Sequence, residues 1–518
     1  MNILLVEPNY HRFTIGRMRQ KSIRAKERLD DETLWYPPLG LMKLSRYHKD
    51  RGDFVQFVYG CDESVLDKLW DRVYITTLFT YGWEHTIKTV LFYKNATGGV
   101  VGNIYIGGIM ATIMAEEIFE VAGIYPICGL LDSAQRIGFS DNTNIDTLPP
   151  DYDLLDGQIY ATNDTYYGYT SRGCVNKCGW CAVPKLEPSY IPYIDIKPSI
   201  RRLRQQYGDK AKLKLMDNNI LASPELDRIV EDLCLLGYSK DSRTNIKSLK
   251  KRVIDFNQGL DATFVNDKTM RLLSKLNVSP FRIAFDRAQE KQAYLNAIRI
   301  AKRYGFKIFS NYMLYNWHDS PKDLYDRLVV NINLNSEWRD GRDKPEASVY
   351  SYPMRYAPIR DDERVPHANR YRDLESLKPE VGSNLLEKPL WTRRFIRNVE
   401  IMKGAVHGAI STTPGLAKRT IGRSFEEFIA NLYMPEVLLR NRNKYEKKVY
   451  KYEPKRCPGS GKIEEFRVFI LKLLKRNNST CKEFHEVVSK NRRSAVRAYI
   501  KRCKDKEVRK WLNLYLIK

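Results

Sequence analysis

The chain has 518 residues, 43% of them hydrophobic and 29% charged, which excludes a disordered or fibrous chain and leaves room for roughly three domains. No uncharged apolar run of roughly 18 residues occurs, so a helical membrane span is excluded. The net charge of +25 is unevenly placed: from Arg440 to Lys518, 25 Lys and Arg stand against 8 Asp and Glu, and the rest is only mildly basic.

The opening Met-Asn-Ile-Leu-Leu-Val-Glu-Pro reaches Glu7 without a basic leader and reads as a strand rather than a signal peptide, so a cytoplasmic location is expected. Strand-like runs at Asn2–Glu7, Phe54–Gly60, Val73–Leu78 and Asn103–Gly107 alternate with helical ones at Leu39–Lys49, Trp83–Tyr93 and Ala111–Val121, with Pro38 at a helix start. That alternation predicts an α/β fold beginning with a Rossmann-like doubly wound sheet over residues 1–140. A linker rich in Asp, Asn, Thr and Pro follows, from about Ser140 to Asp156.

Tyr166–Tyr169 lead into a cysteine cluster, and βα units recur beyond it. Strands are expected at Lys212–Met216, Arg252–Phe256, Phe281–Phe285, Lys307–Leu314 and Ala347–Tyr352. Helices are expected at Ser199–Tyr207, Pro224–Leu236, Asp267–Leu276, Glu290–Tyr304 and Pro321–Asn331. The pattern suits a central partial (β/α)6 TIM-type barrel over residues 157–360. A polar excursion from Arg360 to Lys388 opens a C-terminal basic helical region, residues 361–518, with helices at Phe466–Lys475 and Val496–Leu516.

Nine cysteines is an odd count, and three crowd into eight residues, a spacing suited to a metal rather than a disulfide framework. In Thr-Ser-Arg-Gly-Cys-Val-Asn-Lys-Cys-Gly-Trp-Cys the thiols of Cys174, Cys178 and Cys181 stand as CxxxCxxC. Three soft thiolates on one loop suit three irons of a cubane 4Fe-4S cluster and leave the fourth without a protein ligand. The alternative is a zinc site completed by a distant Cys or His, although no second paired-cysteine unit follows at a suitable distance.

This segment resembles the cluster-binding loop of the radical S-adenosylmethionine superfamily, including the aromatic Trp180 before the last cysteine. Pro37-Pro38-Leu39-Gly40-Leu41, Gly107-Gly108 ahead of Ala115-Glu116-Glu117, and Leu148-Pro149-Pro150-Asp151-Tyr152-Asp153 resemble members with a cobalamin-binding-like domain before the barrel. The resemblance covers roughly residues 1–360. It implies an enzyme that reductively cleaves S-adenosylmethionine to a 5′-deoxyadenosyl radical acting on an unknown substrate. It also implies an electron donor such as flavodoxin or ferredoxin, and adenine placed near the backbone around Trp180.

The superfamily's glycine-rich, acid-ended motif, which holds the amino group of S-adenosylmethionine, is represented here by Asp217-Asn218-Asn219. Oxygen acceptors at a strand end suit an ammonium. Gln258 and Asp261, with Asn257, Asp286, Arg287, Asn311 and Arg355, are further strand-end candidates for cofactor or substrate, the alternative being helix capping and loop hydrogen bonds. His318 has no orienting partner in sequence and reads as a loop residue. His11 lacks the Asp-x-His-x-x-Gly context of a cobalamin-ligating histidine; a cobalamin-dependent methyltransferase stays an alternative because that subgroup often lacks the histidine. Tyr, Trp and Phe interleave the basic tail, so phosphate contacts with nucleic acid are the expectation set against a merely solvated surface. Cys457, Cys481, His485 and Cys503 form a loosely spaced second metal candidate. A non-enzymatic nucleic-acid-binding protein with a structural metal is the competing class; no membrane partner is expected.

Overall fold

A computed structural model describes residues 1–10, 35–155, 159–244, 249–342, 344–356, 385–386, 389–406, 408–449 and 460–517. The chain divides into two compact units. The first holds Met1–Leu260 and Asn266–Ser279, the second Asp261–Val265 and the described residues from Pro280 onward.

The first unit begins with four parallel strands: β1 (Asn2–Glu7), β2 (Phe54–Tyr59), β3 (Arg72–Thr77) and β4 (Ile104–Gly108), in the order β2-β1-β3-β4. β1 is central because its Ile-Leu-Leu-Val run can be buried on both faces. Leu4 and Val6 pack with Trp83, Ile87 and Val90 of α2 (Trp83–Tyr93). Ile3 and Leu5 face the other way, onto Leu41, Leu44 and Tyr47 of α1 (Leu39–Asp50). Beyond β4 one expected helix is two, α3 (Ile109–Ile113) and α4 (Ala115–Ala122), because Met114 leaves helical geometry at φ −123° and ψ 41°. Gly108 joins β4 to α3 at φ +111°, where a Cβ would lie 2.2 Å from the Thr77 carbonyl oxygen, so only glycine fits.

A second parallel sheet in this unit contains β5 (Thr165–Gly168), β6 (Lys212–Leu215) and β7 (Val253–Phe256) in chain order. The short helix α5 (Val183–Leu186) follows β5, and then α6 (Lys197–Tyr207) and α7 (Leu226–Leu235) connect the strands. Asp151 is buried and ties this region to α1. It accepts from Ser45 Oγ at 2.6 Å and Tyr207 Oη at 3.0 Å and pairs with Lys49 at 2.8 Å. Helix α8 (Asp267–Leu273) closes the unit.

The second unit carries β8 (Phe281–Ala284), β9 (Ile308–Tyr315) and β10 (Ser348–Arg355), parallel and with β9 central. Helices α9 (Lys291–Arg303) and α10 (Pro321–Arg339) connect them. A reciprocal cap starts α10: Ser320 Oγ accepts from the Asp323 N–H while Asp323 Oδ2 accepts from the Ser320 N–H at 2.8 Å. The six strands expected of one barrel thus stand as two three-stranded sheets, and the division between units falls inside the span 157–360.

Eight helices follow among the described residues: α11 (Arg393–Lys403), α12 (Pro414–Ile421), α13 (Phe425–Tyr433), α14 (Glu436–Val449), α15 (Ser460–Arg476), α16 (Ser479–Ser489), α17 (Arg493–Arg502) and α18 (Lys506–Leu512). The apolar periodicity of Val496–Leu516 predicted one helix. Asp505 interrupts it, its carboxylate accepting from the Glu507 and Val508 N–H groups as the cap of α18. No helix among the described residues is long and apolar enough to cross a membrane. His11, Cys457 and most of the Arg360–Lys388 excursion lie outside the described residues.

Candidate metal centre

The cysteine loop leaves the C-terminal end of β5 and is closed at its base by two paired stems. Arg172 and Ile191 exchange both backbone hydrogen bonds, at 3.0 and 2.9 Å, and the Ile194 N–H donates to the Thr170 carbonyl at 2.7 Å. Gly173 makes the turn into the loop. Its φ is +72°, and a Cβ there would lie 2.4 Å from the Ser189 carbonyl oxygen on the opposing stem. Residues 174–181 then present Cys174, Cys178 and Cys181, all half-buried and none in a disulfide. The Asn176 N–H donates to Cys174 Sγ at 3.4 Å, and the Cys181 N–H to the Cys178 carbonyl at 3.0 Å, which keeps the last two cysteines on one tight turn. Trp180 lies on that turn, half-buried.

A buried charge network fixes the stem. Arg172 is almost fully buried, donates from Nε to Asp146 Oδ2 at 2.9 Å, and meets Asp146 Oδ1 with a second nitrogen. Its third nitrogen reaches Glu187 Oε1 at 3.0 Å, and its guanidinium stacks 3.3 Å over the Tyr169 ring. Glu187 Oε2 accepts in turn from the Gly173 N–H at 2.5 Å and from Asn218 Nδ2 at 2.9 Å. Lys43 of α1 donates to Asp146 Oδ1 at 2.9 Å. Burial alone would raise the Asp146 pKa; Lys43 and Arg172 outweigh it and hold the carboxyl below its ordinary value.

Asp217 follows β6 and is 2% exposed. Its Oδ1 accepts from the Thr170 N–H at 2.9 Å and from the Thr170 and Ser171 hydroxyls at 2.7 Å each. Its Oδ2 is buried and, among the described residues, has no hydrogen-bond partner. Burial raises the Asp217 pKa, against those donors. One oxygen therefore anchors the cysteine loop, and the other is a buried acceptor whose demand a ligand N–H would meet.

The remaining strand-end residues separate by role. Asn219 is buried, and Asn218 is committed to Glu187. Gln258 is exposed after β7, where Asn257 accepts from Tyr36 Oη at 2.8 Å. Asp261 lies in the second unit and caps a single turn, accepting from the Thr263 N–H at 2.9 Å and hydroxyl at 2.7 Å. Asn311 donates to the Ile283 carbonyl and accepts from Asn331, as part of the core. Arg287 pairs with Glu290 at the surface. Asp286 accepts from the Leu314 N–H at 2.8 Å, and burial pushes its pKa up to about 6. Arg327 crosses beside it to the carbonyls of Phe285, Asp286 and Leu314 and pairs with Asp319 at 2.8 Å. His318 holds a left-handed backbone, φ +45°, against Trp317.

Sequence reasoning missed Lys43, Asp146, Arg172 and Glu187; Arg172, two residues before the first cysteine, was the available signal. In the tail, Cys481 and Cys503 are buried and His485 Nδ1 is bonded to Tyr433 Oη at 2.6 Å. Among the described residues no three His, Cys, Asp or Glu side chains converge on a single-ion site. Three thiols on one loop free of disulfides, with a buried carboxylate oxygen in need of a donor on the residue that anchors the loop's first stem, suit by their chemistry a cluster whose irons take one thiolate each together with an ammonium-bearing ligand.

No protein-family model matches the chain, and no characterised protein matches it in sequence. Solved structures similar to it include the radical S-adenosylmethionine methyltransferase TsrM from Kitasatospora setae, with tryptophan substrate and a S-adenosylmethionine analogue bound. That likeness has a TM-score of 0.46 and 13% identity over 69% of this chain and 73% of that one. SuiB from Streptococcus suis, bound to S-adenosylmethionine, gives 0.25 and 14% over 54% of this chain and 58% of its own length. HydG, a maturase of the [FeFe]-hydrogenase, gives 0.28 and 13% over 72% and 87%. Overlaps this loose carry no argument of their own, and the residues of the cysteine loop bear the reading.

Proposed function

We propose that this chain is a radical S-adenosylmethionine enzyme, in which Cys174, Cys178 and Cys181 hold three irons of a 4Fe-4S cluster. The observation that carries the reading is the CxxxCxxC loop at a strand's C-terminal end, with its stems paired and the unpartnered Asp217 Oδ2 at its base. When bound, the cluster supplies the electron that cleaves S-adenosylmethionine to methionine and a 5′-deoxyadenosyl radical. The reading takes β5 to β10 as the strands of a partial (β/α)6 barrel, continuing from a Rossmann-like first domain.

The chain's own residues position the reactants. Asp217 Oδ2 would accept a hydrogen bond from the ammonium of S-adenosylmethionine while its Oδ1 holds Thr170 and Ser171 in place. The backbone around Trp180 lies against adenine, as the resemblance implies. Arg172 and Glu187 keep the loop's entrance fixed, so the thiols are set before the ligand arrives. A reducing cytoplasm and an electron donor such as flavodoxin or ferredoxin suit this chemistry.

Anaerobic reconstitution tests it. About one 4Fe-4S cluster per chain should form by iron and sulfide assay, and dithionite should release 5′-deoxyadenosine. Unchanged release from Cys178→Ala, or zinc rather than iron in anaerobically purified protein, overturns it.

A second reading adds cobalamin and makes the protein a methyltransferase. The order β2-β1-β3-β4 favours it, because open parallel sheets take ligands at the strand-order reversal, here between β1 and β3. The absorption spectrum of protein produced with hydroxocobalamin decides between the two.

A further inference from the structure

The basic C-terminal region is not uniformly basic in space. In α17, Val496 and Tyr499 mark the buried side. At about 100° per residue the opposite side is centred on Ser494 and Ala498, both exposed. Arg493, Arg497 and Lys501 flank that centre on one side and Arg502 on the other, and all four are exposed. No residue of α17 is acidic. Among the described residues, Arg493, Arg497 and Lys501 enter no ion pair, whereas many cations elsewhere on the helices do, as Lys490 does with Glu486 and Arg476 with Asp505. An ordinary solvated helix face mixes both signs; this one does not.

The surroundings narrow the partner. Helices α16 and α17 are joined by Lys490, Asn491 and Arg492, with Asn491 left-handed at φ +50°, so α17 is the second member of a tight helix–turn–helix pair. Among the described residues of the tail, the aromatics Phe466, Phe469, Phe484, Tyr499, Trp511 and Tyr515 are in the core, all buried. They offer no platform for stacking bases of a single strand. The exposed face of α17 has no large apolar side chain to anchor in a lipid surface. It does have cations at successive i, i+4 positions, about 6 Å apart along the axis, around a centre of small residues that lets the helix approach closely. A helix about 10–12 Å wide enters the major groove of B-form DNA, whereas the deep, narrow major groove of A-form RNA excludes it.

We propose that α17 is a docking helix for double-stranded DNA, with Arg493, Arg497, Lys501 and Arg502 contacting phosphates. The contacts are charge-based and read no sequence by themselves. This surface is independent of the cysteine loop, and its failure would leave the radical reading standing.

The test uses the full chain and fluorescence anisotropy of a 20-base-pair DNA duplex, with an RNA duplex, a single strand and anionic phosphatidylserine vesicles as competitors. Four phosphate contacts predict that log Kd rises with log salt at a slope of about 3.6. Arg497→Gln, Lys501→Gln and Arg502→Gln together should weaken binding at least tenfold and lower the slope by about 3, with an unchanged urea midpoint. The matched control neutralises Lys268, Arg271 and Lys275, exposed on and just after α8, and should leave the slope alone. Equal losses in both triple variants would assign the effect to net charge and overturn the proposal. So would absence of duplex binding, or preference for the RNA duplex, the single strand or the vesicles.

Discussion

Replacing Gly173 with alanine isolates the steric demand of the cysteine loop. A non-glycine residue in the left-handed region costs about 1–2 kcal/mol. The new Cβ would also start 2.4 Å from the Ser189 carbonyl oxygen, so the opposing stem must retreat by about 0.6 Å merely to reach 3.0 Å. That retreat strains the Arg172–Ile191 pair, whose two hydrogen bonds contribute about 1 kcal/mol each. The total is about 3 kcal/mol, concentrated at the mouth of the loop. Gly123 supplies the control: it is left-handed at φ +69° and ψ 19°, and its Cβ position meets only the far end of the Lys94 side chain at 3.8 Å, so Gly123→Ala should cost only the conformational part, about 1 kcal/mol. The assay is urea unfolding of both apoproteins, followed by iron content after anaerobic reconstitution. Gly173→Ala should be the less stable by about 2 kcal/mol and retain less than half the iron, with Gly123→Ala loading normally. Equal stability and equal iron in the two variants would refute the steric account of the loop.

Arg172→Met leaves Asp146 and Glu187 buried without their shared cation and should destabilise the protein by about 3–5 kcal/mol in urea unfolding. Asp217→Asn keeps an acceptor for Thr170 and Ser171 but puts an amide N–H where Oδ2 stood. Iron content should hold while S-adenosylmethionine binding by equilibrium dialysis weakens at least tenfold, a loss of about 1.4 kcal/mol or more. Glu7 is buried against Tyr160, and burial pushes its pKa up to about 7 from 4.5, the Tyr160 hydroxyl opposing. Its neutral form therefore stabilises the fold fully below pH 4.5, and this contribution is lost as pH rises to 7. Glu7→Gln should gain on the parent by about 3 kcal/mol across that window in pH-dependent unfolding. His485, buried and with its pKa pushed down to about 4, gives the opposite slope. His485→Phe should remove a stability loss of about 1.4 kcal/mol per pH unit as acid is added between pH 6.5 and 4.

The local features of the fold are legible in the sequence. β1 and α2 follow the apolar run at Ile3–Val6 and the helical spacing of Trp83, Ile87 and Val90, and the cysteine loop is visible because its three thiols lie within eight residues. What escaped depends on partners distant in sequence or on a single side chain. Arg172 finds Asp146 across 26 residues and Glu187 across 15, a pairing no periodicity encodes. The apolar rhythm of Val496–Leu516 runs through Asp505, whose carboxylate nonetheless starts a new helix. Asp261 shows the ambiguity at a strand end, where a ligand carboxylate and a turn cap have the same sequence signature; in the structure it accepts from the Thr263 N–H and hydroxyl. Tyr and Trp between lysines suit a nucleic-acid surface and an amphipathic helix core equally well, and Tyr499, Trp511 and Tyr515 are in the core.

The Lys43–Asp146–Arg172–Glu187 chain has a consequence for dissection of the molecule. A fragment cut at the expected border, residue 157, would retain all three loop cysteines and both loop stems while discarding Lys43 and Asp146, leaving a guanidinium deep in the protein with only half its counter-charge. The leading sheet is therefore not a detachable module grafted ahead of a self-sufficient catalytic piece. Any exchange of that sheet between related proteins has to carry these two side chains with it, whatever else it replaces.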